Sequence, residues 1–141
     1  MNRDYQLARM ILQLSNTIVK NRNKHLKQLD LTAAQSDSVH FFAEHGDATI
    51  TELKQYLGIT HQTARGIVYR MADKGLVQVK RSQTDTRYQI VSLTARGREM
   101  EAVLQGNGAR TARQITAGMS QEEEQQLYDL VSRALHNVRL E

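Results

Sequence analysis

Polar and basic side chains cluster in one predicted helix near the middle of the chain. The segment that follows Gly58 combines hydroxyl, amide, imidazole, phenol and guanidinium groups at Thr60, His61, Gln62, Thr63, Arg65, Tyr69 and Arg70. Such groups make hydrogen bonds to base edges and phosphates, and an α-helix fits the major groove of DNA. The residue types in this segment therefore favour binding to a nucleic acid.

A second basic cluster follows closely in the sequence. Lys80, Arg81 and Arg87 surround a short turn that is otherwise polar. Such a hairpin after a recognition helix makes a wing, and a narrow minor groove attracts an inserted arginine by its negative potential. Asp85 stands two residues before Arg87. It can pair with a wing arginine and hold it in position, or it can simply favour the tight turn.

The charge distribution supports a polyanionic partner. The chain carries a net charge of +4, but residues 54–98 hold nine basic and two acidic residues, so the net charge is +7 there and −3 elsewhere. A basic block between near-neutral flanks is typical of a surface that meets nucleic acid. Double-stranded DNA is the partner that we expect.

Several other classes of protein are disfavoured by the sequence. There is no cysteine, which excludes disulfides and thiol chemistry, and there is no phosphate-binding glycine loop, H-E-x-x-H or G-x-S-x-G motif. We therefore expect neither an enzyme nor a bound cofactor. No apolar run approaches the roughly 20 residues of a membrane span. A cytoplasmic protein of one domain, with no membrane partner, is the expectation for 141 residues.

Histidines offer a weak metal-binding alternative. His40 and Glu44 share a helical face at i, i+4, and His25 and His45 are further candidates. A tetrahedral zinc site needs about four ligands, and this chain has no cysteine to complete the set. The sequence therefore predicts no metal site.

Capping signals and hydrophobic periodicity define the predicted elements. They are a helix over 3–29, a helix from the capping box at 32–35 to His45, a short helix from the box at 49–52 to Gly58, a helix from Thr60 to Lys74, a hairpin between Gly75 and Thr94, a long helix capped by Thr94, and a last helix after the box at 120–123. The result is a mainly α fold with a small β-hairpin wing.

The two central helices form a helix-turn-helix pattern. Gly58 can adopt the left-handed conformation that the turn needs. The apolar residues on either side can face a common core: Leu53, Leu57, Ile59, Ile67, Val68 and Met71. A generic helical hairpin is the alternative, and the basic wing favours the DNA-binding interpretation.

The terminal helices carry apolar stripes without an obvious partner in the small middle region. The first includes Leu7, Ile11, Leu14 and Ile18. Such stripes usually pack against a second copy of the same chain, which predicts a homodimer. In the long helix after Thr94, the glycines at 106 and 108 each cost up to about 1 kcal/mol relative to alanine, which predicts a weak point or a bend.

Three short motifs together resemble the MarR family of winged helix-turn-helix transcriptional regulators. They are Gly75-Leu76-Val77, Asp85-Thr86-Arg87, and the L-T-x-x-G motif of Val91 to Gly97. The turn from Gly118 to Glu123 is similar to the one before that family's last helix. The resemblance extends over essentially the whole chain.

The resemblance implies a single domain over 1–141. Within it, residues 32–93 would form the winged helix-turn-helix, and residues 3–29 and 94–141 the dimerisation helices. It implies a homodimer on a pseudo-palindromic operator, mostly acting as a repressor, and release by a small phenolic or lipophilic anionic ligand. A winged-helix protein-interaction module and a non-specific architectural DNA binder are the alternatives.

The resemblance also assigns site roles. The recognition helix would be 60–70, and Arg87 would be the wing tip, supported by Asp85. The resulting set of DNA-binding candidates is Thr60, His61, Gln62, Thr63, Arg65, Arg70, Lys80, Arg81, Asp85 and Arg87. Family members often have arginine or another polar residue where this chain has Gly66, which affects the expected base preference.

Overall fold

A computed structural model describes residues 2–139, which form α-helices and a small antiparallel sheet. In chain order the elements are α1 (Arg3–Gln28), α2 (Ala33–His45), β1 (Ala48–Thr49), α3 (Ile50–Leu57), α4 (His61–Asp73), β2 (Val77–Arg81), β3 (Gln89–Leu93), α5 (Ala95–Ile115) and α6 (Gln121–Arg139). The predicted mainly α fold with a β-hairpin wing is confirmed. No helix within 2–139 combines the length and the apolarity that crossing a membrane requires.

The helices begin at the predicted capping residues. Thr32 and Gln35 form a complete capping box at the start of α2, and Thr49 and Glu52 form another at the start of α3. In each box the threonine oxygen accepts a backbone N–H, and the longer side chain accepts the N–H of the capping residue. Local sequence therefore defines these helix starts without help from distant parts of the fold.

The helix-turn-helix is built from α3, a tight turn and α4. Gly58 ends α3 in the left-handed conformation, with φ of 67° and ψ of 39°. Leu53, Val68 and Met71 are fully buried, whereas Leu57 and Ile59 are partly buried and pack against the same core. The predicted common core of the two helices is confirmed.

The sheet contains a strand that the sequence did not predict. β3 lies in the centre and pairs with β2 on one side and with the two-residue β1 on the other. Thr49 pairs with Ile90 of β3, although Thr49 was expected only to cap α3. Both roles are compatible because an N-cap residue has extended backbone, here with φ of −87° and ψ of 162°.

The start of α5 is fixed against the turn before β2. The Thr94 N–H donates to the Leu76 carbonyl at 3.0 Å, and the Thr94 hydroxyl donates to the Gly75 carbonyl. Gly97 donates its N–H to Thr94 Oγ1 at 3.1 Å, and a Cβ at Gly97 would lie only 2.2 Å from the Leu76 oxygen. The L-T-x-x-G motif therefore lets the start of α5 approach the backbone of Gly75 and Leu76 closely.

The chain divides into two compact units, one extending to Gln105 and the other beginning at Gly106. Helix α5 continues through Gly106 and Gly108, so these glycines do not end the helix. In the first unit, α1 contributes Leu26 to the buried core, whereas most of its apolar stripe is exposed. In the second unit, α6 exposes the apolar side chains of Tyr128, Leu130, Val131, Leu135 and Val138.

Candidate nucleic-acid interface

Helix α4 separates an apolar inner face from a polar outer face. Ala64, Ile67, Val68 and Met71 are buried in the core. The outer face exposes every candidate that the sequence named on this segment: Thr60, His61, Gln62, Thr63, Arg65 and Arg70. A helix with one buried face and one exposed hydrogen-bonding face can be inserted in a groove without disturbing its own core.

The first turn of α4 is ordered by two threonines. Thr60 Oγ1 accepts the Thr63 N–H at 3.2 Å, which caps the helix, and donates its own proton to Thr63 Oγ1 at 2.8 Å. The Thr63 hydroxyl therefore keeps its proton for an outside acceptor. Thr60 acts in the cap, and Thr63 is the better placed of the two to donate outward.

Arg65 and Tyr69 form a cation–π pair on the outer face, one helical turn apart. The Arg65 guanidinium carbon lies 5.3 Å from the centre of the Tyr69 ring. The Tyr69 hydroxyl donates to Gln89 Oε1 at 3.2 Å, which joins α4 to the first residue of β3. Sequence reasoning missed Gln89. The i, i+4 spacing of Arg65 and Tyr69 was the only available signal for their contact.

The space above Gly66 is occupied by Arg70. A Cβ at Gly66 would lie 3.3 Å from Arg70 Nη2, so the guanidinium lies across the bare backbone of the preceding turn. Family members often have a larger polar residue at this position. Because this chain has glycine there, the Arg70 side chain can cover the helix surface at Gly66 instead.

The wing presents a held arginine. Arg87 Nε and Nη2 donate to the two carboxylate oxygens of Asp85 at 3.0 and 2.7 Å, and the Arg87 N–H donates to Asp85 Oδ1 at 3.1 Å. These hydrogen bonds to Arg87 lower the pKa of Asp85 below its ordinary value, so the carboxylate stays charged. The side chain of Arg87 nevertheless remains 81 % exposed. The turn thus contains the ion pair that the spacing suggested.

The remaining basic candidates are exposed and carry uncompensated charge. Lys80 and Arg81 lie on β2, and Arg65 and Arg70 lie on α4. Within residues 2–139, none of these four forms an ion pair with the chain's own carboxylates. Their charge is therefore available to an external anion.

Two of the three histidines considered as metal ligands, His40 and His45, pair with carboxylates. His40 lies 2.9 Å from Glu44 through Nε2 and 2.9 Å from Glu101 through Nδ1, which links α2 to α5. The hydrogen bond to Glu101 is the main reason why the pKa of His40 is raised. His45 instead pairs with Glu52 at 3.3 Å. No group of three potential ligands within 2–139 could hold a metal ion.

Comparison with known proteins gives consistent results for the sequence and the fold. Residues 29–87 match the sequence model of the MarR family. The chain is 25 % identical over 117 residues to the uncharacterised HTH-type transcriptional regulator YfiV of Bacillus subtilis, covering 81 % of this chain and 73 % of YfiV. It is 30 % identical over 79 residues to the HTH-type transcriptional regulator PetP of Rhodobacter capsulatus, covering 56 % of this chain and 48 % of PetP.

Solved structures extend the likeness to the terminal helices. MarR from E. coli is 25 % identical, with a TM-score of 0.77 and coverage of 92 % of this chain and 96 % of MarR. A mutant of MepR from S. aureus is 21 % identical, with a TM-score of 0.80 and coverage of 98 % and 99 %. The sequence match over the winged helix and the likeness to MarR over almost the whole chain show that this protein belongs to the MarR family of DNA-binding transcriptional regulators.

Proposed function

We propose that the protein is a homodimeric repressor that binds a pseudo-palindromic operator. Helix α4 of each copy enters the major groove of one half-site, and Arg87 of each wing enters the adjacent minor groove. The observation that carries this proposal is the exposed hydrogen-bonding face of α4 beside a wing whose arginine is held by Asp85. This geometry suits one reading element for each groove.

The outer side chains divide into two kinds of contact. Gln62, Thr63 and Arg65 read base edges, and a good bidentate pair contributes about 1–3 kcal/mol of discrimination. Arg70, Lys80 and Arg81 contact phosphates, which adds affinity without sequence information. At the start of the helix, His61 contacts the DNA and Thr60 holds the cap. Asp85 acts on the DNA only through the position of Arg87.

The terminal helices form the dimer. In this proposal residues 32–93 are the winged helix-turn-helix, and residues 3–29 and 94–141 pack against the second copy. The support is the row of exposed apolar side chains along α1 and along α6, since such a surface is rarely left in water. A dimer must separate its two recognition helices by about 34–36 Å, or a multiple of it, to match successive major grooves.

A small phenolic or lipophilic anionic ligand releases the DNA in this proposal. BpsR of Bordetella bronchiseptica, whose DNA binding is regulated by 6-hydroxynicotinic acid, has the same fold at 19 % identity and a TM-score of 0.71. A ligand can act in this way only by binding one dimer geometry more tightly than the other. The protein would do this work in the cytoplasm, where genomic DNA is found.

Fluorescence anisotropy tests DNA reading. The probes are the duplex upstream of the protein's own gene and a shuffled duplex of equal composition, each titrated at several salt concentrations. A repressor binds the first duplex more tightly, with a log–log salt slope of about −0.9 per phosphate contacted. Equal binding to both duplexes would instead indicate an architectural DNA binder. Absence of binding at low salt would indicate a protein-interaction module.

Arg87→Glu tests the wing directly. Because the change places a negative charge where the groove is most negative, we expect at least a tenfold loss of affinity for the upstream duplex. Lys20→Glu is the control, since it makes the same charge change at an exposed position of α1. If both variants lose affinity equally, net charge rather than the wing governs binding.

Ligand release is tested separately on the complex. The upstream duplex is bound at its dissociation constant, and 6-hydroxynicotinic acid and salicylate are titrated in. Release of the DNA by either compound supports a ligand-responsive repressor, provided that the compound leaves the salt slope of DNA binding unchanged at the same concentration. Retention of the complex with both compounds would remove these two compounds from the proposal.

A further inference from the structure

We propose that Tyr69 is a positioning residue for DNA reading: its ring sets the direction of Arg65, and its hydroxyl ties α4 to the wing through Gln89. This inference rests on the proposed function, because it assigns Arg65 a base-reading role. It goes further by naming a residue that governs specificity without itself contacting a base.

The first step is the cation–π contact of Arg65 with Tyr69. An exposed arginine samples many rotamers, and ordering it on a base costs conformational entropy. The Arg65 guanidinium lies over the Tyr69 ring at 5.3 Å, which restricts these rotamers before DNA arrives. A guanidinium that lies over a ring can keep its in-plane N–H donors available. Those donors are the ones that bind guanine O6 and N7 in a bidentate pair.

The second step is the link to the wing. Tyr69 is held at its outer end by the hydrogen bond from its hydroxyl to Gln89 Oε1. Gln89 pairs in register with Arg81 of β2, and this is the last strand pair before the turn that carries Arg87. Tyr69 therefore contacts the base reader on one side and the wing on the other. A shift of the wing would move the ring on which Arg65 rests.

The third step is the contrast with Arg70 on the same helix. Arg70 lies against the backbone at Gly66, and its guanidinium lies over no aromatic ring in the described part of the chain. Two arginines with the same charge and similar exposure thus differ in how they are held. Arg65, over the tyrosine ring, suits a directional contact to a base, whereas Arg70 suits a contact to a phosphate.

A double-mutant cycle tests the inference. The duplex is one that wild-type protein selects from a random library, and a shuffled duplex is the reference. Tyr69→Leu should weaken binding to the selected duplex about three- to tenfold, in line with the strength of a cation–π contact. It should change the affinity for the shuffled duplex little. In an Arg65→Ala background, Tyr69→Leu should cause no further loss. Tyr69→Phe keeps the ring and should cause a smaller loss.

Arg70→Ala provides the matched background for this cycle. There, Tyr69→Leu should keep its full effect, because Arg70 does not rest on the tyrosine. The inference is overturned if the loss from Tyr69→Leu is the same with and without Arg65, or if both duplexes lose affinity equally. It is also overturned if the arginine side-chain resonances of Arg65 are unchanged in Tyr69→Leu, since a stacked ring must shift them.

The outcomes separate this inference from the proposed function. If wild-type protein does not prefer the selected duplex to the shuffled one, DNA reading fails and the inference falls with it. If wild-type protein discriminates but the cycle is additive, the proposed function stands and only the role of Tyr69 is lost. Thermal unfolding of every variant identifies any loss of affinity that comes from loss of the fold.

Discussion

The winged helix-turn-helix and the terminal helices use similar apolar residues with opposite results. Leu53 and Val68, on α3 and α4, have no measurable exposure, whereas Leu7 and Ile11 on α1 are 53 % and 57 % exposed. Each region has a regular apolar stripe, so each defines a face that must leave water. The difference shows that a stripe identifies the buried face of a helix without identifying what covers it.

The physical reason is the length of chain between the packing partners. The short turn at Gly58 brings α3 and α4 together, so their stripes meet as soon as the turn forms. Helix α1 is 26 residues long and contributes only Leu26 to the buried core. The rest of its stripe lies too far along the helix axis to reach that core, since each residue advances 1.5 Å. A second copy of the chain is the partner that we propose.

The largest effect should come from adding one carbon at the start of α5, where this helix contacts the residue before β2. In Gly97→Ala the new Cβ would lie 2.2 Å from the Leu76 carbonyl oxygen, and neither backbone can move without breaking the hydrogen bond from Thr94. We expect the free energy of unfolding to fall by about 3 kcal/mol. Urea unfolding at a fixed protein concentration measures it.

Gly106→Ala is the matched control in the same helix. A Cβ there meets nothing within 4 Å, so removing a helical glycine should stabilise the protein by roughly 0.5–1 kcal/mol. Equal destabilisation by both substitutions would show that the contact with Leu76 is not what limits position 97.

The next largest effect concerns the α1 stripe. The double substitution Leu7→Lys and Ile11→Lys should weaken dimerisation at least about 100-fold, because each buried aliphatic side chain contributes roughly 1.5–3 kcal/mol. The winged region should keep its fold. Light scattering across a concentration series measures the dissociation constant, and circular dichroism checks the fold.

Asn16→Lys is the control for the stripe, since the 100° spacing of helical residues places it opposite Leu7 and Ile11. It should leave the dimer intact. A monomeric wild-type protein, or equal loss from the control, would contradict the proposal that α1 meets a second copy.

A smaller effect is expected where α2 joins α5. His40 donates to Glu44 and Glu101, and these partners raise its pKa above the value in the unfolded chain. A raised pKa stabilises the folded state at pH values below the ordinary histidine value, and the stabilisation is lost as the pH rises through the folded-state pKa. Urea unfolding at pH 5.5 and pH 8.5 should show this loss as a change in the free energy of unfolding.

His40→Gln should remove that part of the pH dependence. His61→Gln is the control, because His61 is exposed at the start of α4 and pairs with no carboxylate among the described residues. If the stability of wild type and His40→Gln changes in parallel with pH, another group is responsible.

The smallest effect on the fold should come from Asp85→Asn in the wing. The pair with Arg87 lies in an exposed turn, so the unfolding midpoint should not change. Arg87 should lose its fixed direction, and affinity for the upstream duplex should fall several-fold in anisotropy. A normal affinity would show that Asp85 serves only the turn, which was the alternative from the sequence.

Local signals made much of the fold predictable. The boxes at Thr32, Thr49 and Ser120 each depend on residues three apart, and all three occur in the structure. The left-handed turn at Gly58 is also a local property. For the same reason, the exposed residues of α4 could be named in advance from the periodicity of its buried face.

Features that depend on distant residues were not predictable in this way. The pairing of Thr49 with Ile90 joins residues 41 positions apart, and β1 is too short to show an alternating pattern. The bond from Tyr69 to Gln89 depends on how the hairpin folds back towards α4, which neither segment encodes alone. The His40–Glu101 pair spans 61 positions and likewise needed the structure.

The order of the strands has a consequence for solubility. β2 lies at one edge of the sheet, so its outer backbone groups could template pairing with a strand from another molecule. Lys80 and Arg81 are exposed on this strand, and their like charges repel an identical edge. Neutralising them would thus do more than weaken contacts to phosphates. It would leave a bare strand edge and make concentrated protein prone to aggregate.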